Sequence, residues 1–108
     1  VNLLFSANRW EMASEIVDDL NRGIVVVCDR YAFSGVAYSA AKGLDFAWCQ
    51  AHDRGLPLPD SVFFMRVEPQ VGALRANFGD ERYEDVDMQV RVRERFDDPR
   101  LRQGVPWH

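Results

Sequence analysis

The sequence predicts an α/β fold in which a parallel sheet lies between two layers of helices, with part of the sheet missing. Two observations carry that prediction. Ile24–Asp29 and Asp60–Val67 each hold a continuous apolar run, the pattern of a strand covered on both faces. Apolar residues at helical spacing fill the stretches around and between these runs, and strand, crossover helices, strand is the order of a parallel sheet. Two parallel strands alone would be marginal, so further strands are expected before Val1 and after His108.

The elements follow in order. From Ser6 to Asn21, Trp10, Met12, Ala13, Ile16, Val17 and Leu20 recur at helical spacing, and Gly23 is a C-terminal stop. Ile24–Asp29 is the first strand. Ser34–Gly43 reads as a short helix closed by glycine, and Phe46–Arg54 as another, ended by Gly55-Leu56-Pro57. Asp60–Val67, with SVFFMRV at its centre, is the second strand. Pro69 opens a helix to about Phe78, because proline is tolerated in a first turn. Phe78–Asp87 is polar and contains a glycine, so it reads as a mobile loop. Met88–Leu101 is a weakly amphipathic helix in which Val90, Val92 and Phe96 are apolar, and Pro99 should kink or end it.

The chain has 108 residues, 47% of them hydrophobic and 28% charged, which suits one small soluble domain. Thirteen basic and seventeen acidic side chains give a net charge of -4, against the basic surplus of a general nucleic-acid binder. No apolar run approaches the ~20 residues needed to span a bilayer. Cys28 and Cys49 make no disulfide framework; they read as buried small hydrophobes in a reducing, cytoplasmic compartment, although nuclear or organellar targeting signals would lie outside this sequence. His52 and His108 have no partners at metal-ligand spacing, Trp10 and Trp48 read as packing residues, and Trp107 as core of a larger protein. A start at Val and an end at Trp107-His108 without a closing element predict a piece of a longer polypeptide.

Chemistry concentrates where the first apolar run ends. Ligands of open parallel sheets bind at the carboxyl ends of strands, and Asp29 and Arg30 stand there. A guanidinium matches phosphate oxygens with a planar fork. A neighbouring carboxylate can hold a magnesium-bound water or orient the arginine. An ion pair that ties down a loop would account for the same two residues.

Four stretches in register make the sequence recognisable: LLFSANRWE at Leu3–Glu11, DRYAFSGVAYSAAKG at Asp29–Gly43, GLPLPD at Gly55–Asp60 and FGDERYE at Phe78–Glu84. Together they resemble the thymidylate kinase family of the eukaryotic type. The resemblance implies the three-layer parallel sheet of the P-loop nucleoside monophosphate kinases, present here as one partial domain over residues 1–108. It also implies transfer of the γ-phosphoryl group of ATP to dTMP with Mg2+, giving dTDP. An acceptor-nucleotide site over residues 3–43, a lid over about 68–89 and a homodimer formed through helices beside the sheet are implied as well. Ser6–Asn21 and Ser34–Gly43 are the helices that could serve that dimer.

Residue by residue, the resemblance makes Phe5 the ring stacked on thymine and Arg9 the donor to a base carbonyl, four residues apart on one helix face. Read alone, Phe5 is core and Arg9 a solvated charge. Arg30 is implied as the clamp on the acceptor phosphate, and Asp29 as a residue that helps place magnesium, water or the acceptor group. Ser34, Gly35 and Tyr38 continue the pocket, with Tyr38 near the deoxyribose; Phe33 reads as core. In the lid, Arg75 and Arg82 flank Gly79, Arg82 adds catalytic charge, and Tyr83 and Gln89 approach the thymidylate. Glu81, Glu84 and Asp85 read as surface acids or ion-pair partners.

The phosphate-cradling GxxxxGK(S/T) motif occurs nowhere in the chain. The 108 residues alone are therefore expected to transfer no phosphoryl group. Two other readings stand beside this one: a kinase for another nucleoside monophosphate, and a nucleotide-binding or regulatory relative without catalysis.

Overall fold

The computed structural model describes residues 1–66 and 86–108. Among the described residues five helices follow one another: α1 (Asn2–Asn21), α2 (Ala32–Ala41), α3 (Phe46–Ala51), α4 (Val86–Phe96) and α5 (Pro99–Arg102). α2 lies at the centre, packed against the other four.

Local chemistry sets most of the ends. After α1, Gly23 adopts a φ of 77° and donates to Leu20 O at 3.0 Å, while Ile24 N donates to Asp19 O at 2.9 Å. After α2, Gly43 at φ 96° repeats the pattern, donating to Ala40 O at 3.0 Å, with Leu44 N to Ser39 O at 3.3 Å. Both are Schellman closures, which need the left-handed conformation that glycine reaches without a Cβ penalty. The Asp45 carboxylate caps α3 by accepting from Trp48 N at 2.9 Å. Asp98 caps α5 by accepting from Arg100 N at 2.9 Å, with Pro99 in the first turn. Pro99 thus splits the expected Met88–Leu101 helix into α4 and α5. α4 is already helical at Val86 and Asp87, where a loop was expected. The expected helix Pro69–Phe78 and the loop from Phe78 to Asp85 lie outside the described residues.

The core forms where α2 presents small side chains. Val36, Ala37 and Ala40 pack with Phe46, Cys49 and Leu101, and Ala41 packs with Met88 and Val92. Alanines on the central helix let α3 and α4 approach closely. Phe33, Phe64, Phe96 and Trp107 close the other side in edge and stacked contacts, 4.8 Å between the Phe64 and Phe96 centroids and 5.2 Å between Phe33 and Trp107. The sequence reading of Phe33 and Trp107 as core agrees with this cluster.

The expected sheet does not form among the described residues. Ile24–Cys28 is not a strand here; Val25 and Val27 are 86% and 88% exposed. A strand exists only through a partner's backbone groups, and none of the described chain lies alongside this run. Cys28, expected to be buried in that strand, is exposed for the same reason, whereas Cys49 is buried. The second apolar run finds one partner. Val62 N donates to Pro106 O at 2.9 Å, His108 N to Val62 O at 2.8 Å and Phe64 N to His108 O at 2.9 Å, a parallel bridge between Val62 and Trp107. Along this run Val62 and Phe64 turn inward, while Phe63 and Met65 face solvent.

α1 also departs from expectation. It is helical from Asn2, but Ser6 is its buried residue, and Trp10, Met12, Val17 and Leu20 are all exposed. The apolar spacing gave the right element, yet among the described residues Met12, Val17 and Leu20 stay largely exposed. Polar contacts dock α1 instead. Among the described residues no helix is long and apolar enough to cross a membrane.

Candidate functional site

The docking face of α1 is built from Asn2, Ser6 and Arg9, spaced four and three residues apart on one side of the helix. The turn that follows α3 meets it. Arg9 donates from Nε to Asp53 Oδ1 at 3.0 Å and from one terminal nitrogen to Asp53 Oδ2 at 2.9 Å. Ser6 Oγ donates to Asp53 Oδ1 at 2.8 Å, and Trp10 Nε1 donates to the His52 carbonyl at 2.7 Å. The Arg9 and Asp53 side chains keep only 11% and 7% of their exposure, so this is a buried, bidentate charge pair. Trp10 also lies over Gly55 and Trp48 stands edge-on to His52, so both tryptophans serve packing while remaining half-exposed.

α2 faces the same guanidinium. A Cβ on Gly35 would lie 2.9 Å from the Arg9 terminal nitrogen and 3.3 Å from Asn2 Oδ1. Glycine is therefore what lets Arg9 reach this place. Both polar atoms of the Asn2 amide are buried here and have no hydrogen-bond partner among the described residues.

One residue earlier on α2, Ser34 serves the second arginine. Arg30 donates from Nε to Ser34 Oγ at 3.3 Å, and its guanidinium sits 4.7 Å from the centroid of the Tyr38 ring. Among the described residues these partners are neutral, and no carboxylate pairs with Arg30. Its backbone has a φ of 65°, a left-handed conformation that is uncommon outside glycine and that gathers at functional sites. Asp29 precedes it, exposed, at the start of the same turn.

Tyr31 ties this turn to the third segment, its hydroxyl donating to the Pro57 carbonyl at 2.8 Å. Burial, followed by the nearby Cys28 and Asp53, raises the Tyr31 phenol above its ordinary 10.0, with Arg9 opposing.

The structure thus brings Arg9 and Arg30 to consecutive residues of α2, together with Ser34, Gly35 and Tyr38. Phe5 stands one turn before Arg9 and is 58% exposed. Gln89 lies on α4, partly buried. The lid residues Arg75, Gly79, Arg82 and Tyr83 lie outside the described residues. Asn2, Ser6, Tyr31 and Asp53 belong to the site and escaped the sequence reading. Ser6 carried a usable signal, since it shares the Arg9 face. Nothing local connects Asp53 to an arginine 44 positions away.

Among the described residues no three His, Cys, Asp or Glu side chains gather into a metal cage. Asp29 is a single carboxylate, which suffices only where substrate phosphates and waters supply the remaining magnesium ligands.

Comparisons of the whole chain with known proteins agree on one family. The family described as Thymidylate kinase matches residues 1–102. Thymidylate kinase of Schizosaccharomyces pombe is 53% identical over 96 residues, covering 89% of this chain and 46% of the relative. That of Danio rerio is 47% identical over 108 residues, covering 99% of this chain and 51% of the relative. The solved thymidylate kinase of Candida albicans superposes with a TM-score of 0.83 at 34% identity, covering 99% of this chain and 56% of that structure. The chain spans about half the length of the curated relatives it matches.

Proposed function

The chain belongs to the thymidylate kinase family, and on that premise we propose that it forms the acceptor-nucleotide half of a kinase that moves the γ-phosphoryl group of ATP to dTMP. The observation that carries this reading is the unequal pairing of two neighbouring arginines. Arg9 is neutralised by Asp53 and so is suited to an uncharged base. Arg30 has only neutral partners among the described residues and so keeps its charge for a phosphate. The pair meets consecutive residues of α2, Arg30 at Ser34 and Arg9 at Gly35, so one nucleotide reaches both.

Each side chain then has a task. Phe5 offers its ring as a stacking face, since an apolar ring suits any base face. Arg9 donates to a carbonyl on the base edge. Ser34 and Gly35 leave room for close approach, and Tyr38 holds the Arg30 guanidinium and lines the sugar. Arg30 fixes the acceptor phosphate, and phosphoryl transfer depends mainly on positioning and charge neutralisation. Magnesium, when bound, would neutralise charge on the transferring phosphates, and Asp29 would hold one of its waters. Arg75, Gly79 and Arg82 act as the closing lid that excludes water, and Tyr83 and Gln89 approach the thymidylate. The phosphate loop has no counterpart in this sequence, so the 108 residues alone transfer no phosphoryl group. The exposed edge at Ile24–Cys28 is where further strands of the sheet pair. α1 and α2 contribute to a homodimer.

The test is a titration that separates base from phosphate. Wild-type chain joined to a phosphate-loop segment should bind dTMP at least tenfold more tightly than thymidine. Arg30→Ala should abolish that preference, and Arg9→Ala should weaken both ligands alike. Equal loss of dTMP and thymidine binding in Arg30→Ala would remove the phosphate role. Turnover of ATP and dTMP by the isolated chain would refute its dependence on a phosphate loop. A kinase for another nucleoside monophosphate would favour dCMP or dGMP over dTMP in the same assay.

A further inference from the structure

The Arg9–Asp53 pair is an expensive way to fasten a helix. Two charges lose their water on burial, and apolar side chains of similar volume hold such a junction as well or better. A carboxylate does something that apolar packing does not: it fixes a guanidinium in one plane. Asp53 binds Nε and one terminal nitrogen of Arg9, at 3.0 and 2.9 Å. Of the five guanidinium N–H bonds, three remain for another acceptor. Asp53 is itself fixed from two sides, by Ser6 Oγ at 2.8 Å and through the neighbouring His52 carbonyl, which accepts from Trp10 Nε1 at 2.7 Å.

Close packing surrounds the guanidinium: a Cβ on Gly35 would lie 2.9 Å from its terminal nitrogen, and beside it the Asn2 amide is buried with neither polar atom bonded among the described residues. Unpaired buried amides are costly, and an incoming base edge carries the carbonyl and N–H groups that would satisfy this one.

We infer that Asp53 is the positioning residue for base recognition: it locks Arg9 so that a pure donor edge faces the base, accepting the 4-carbonyl of thymine and rejecting the 4-amino group of cytosine. The inference rests on the proposed role of Arg9. A donor facing an amino group leaves both unpaired, so the discrimination arises from orientation as well as charge. A guanidinium freed from Asp53 can rotate away and loses that penalty.

The test uses this chain joined to a phosphate-loop segment and measures kcat and KM for dTMP and dCMP, with KM for ATP and the melting temperature alongside. Asp53→Asn should raise KM for dTMP about tenfold, leave KM for ATP within twofold, and reduce the preference for dTMP over dCMP about tenfold. In an Arg9→Ala background the same substitution should change nothing beyond twofold. Asp53→Glu, which keeps the charge, should retain most of the preference, and it is the variant to read if Asp53→Asn melts below the assay temperature. An unchanged dTMP preference in Asp53→Asn, a preference in Asp53→Glu as poor as that of Arg9→Ala, or a full Asp53→Asn effect without Arg9 would overturn the inference. If Arg9→Ala leaves KM for dTMP and the preference intact, the reading of Arg9 itself falls.

Discussion

Gly35→Ala tests the geometry of the site with one methyl group. The new Cβ would lie 2.9 Å from an Arg9 terminal nitrogen and 3.3 Å from Asn2 Oδ1. Carbon–nitrogen contacts settle near 3.5 Å, so the guanidinium must move by roughly 0.5 Å. Arg9 is not free to swing aside, because its bonds to Asp53 are already 2.9 and 3.0 Å. Stretching them by half an ångström brings them to the limit of hydrogen bonding and sacrifices about 1 kcal/mol of a charge-assisted pair. Against this, alanine favours the interior of α2 by about 0.5–1 kcal/mol over glycine. Gly35 is not among the glycines with positive φ, so alanine fits the backbone. The two terms nearly cancel. Thermal unfolding should therefore stay within about 4 °C of the parent, while the dissociation constant for dTMP, followed by calorimetric titration, rises about tenfold or more. A variant that melts higher by the full alanine increment and binds dTMP unchanged would show that Gly35 does not set the position of Arg9.

Arg30→Gly should leave stability within about 1 kcal/mol, because relief of the left-handed backbone offsets the lost contact with Tyr38; equilibrium urea unfolding measures it, and a loss beyond about 3 kcal/mol would mean that Arg30 holds the fold. Tyr31 has a pKa raised above 10.0 in the folded chain, so its contribution to stability is whole below pH 10 and is lost as pH climbs through the folded value. Tyr31→Phe should flatten the decline in melting temperature above pH 10, and an unchanged alkaline slope would contradict the assignment. A thiol reagent should label Cys28 at once and Cys49 only on unfolding, since Cys28 is exposed while Cys49 is buried and its thiol pKa is pushed up by burial; equal rates would place Cys49 at the surface.

The legible part of the molecule was local. Gly23 and Gly43 marked helix ends because left-handed closures favour glycine there. Pro99 marked the break between α4 and α5 because it has no N–H to donate. Arg30, Ser34, Gly35 and Tyr38 were legible as a group because they stand within nine residues, in a motif whose order a family shares. Asp53 and Asn2 were not legible, since each gains its meaning from a side chain on another element.

The apolar runs show where local reading stops. Helical spacing along α1 made it a helix, yet its apolar side chains stay exposed, and three valines in a row did not make Ile24–Cys28 a strand. Backbone preference lies within the residues themselves, so the sequence alone marked the helices of the described residues, the glycine and proline breaks between them and the family motif. Burial and strand pairing require a second surface. Only the tertiary structure decided that Val62 pairs with Trp107, that Asp53 pairs with Arg9 and that Arg30 meets only neutral partners among the described residues. Those outcomes depend on which groups meet across tens of residues, and such meetings leave no periodic trace in the chain.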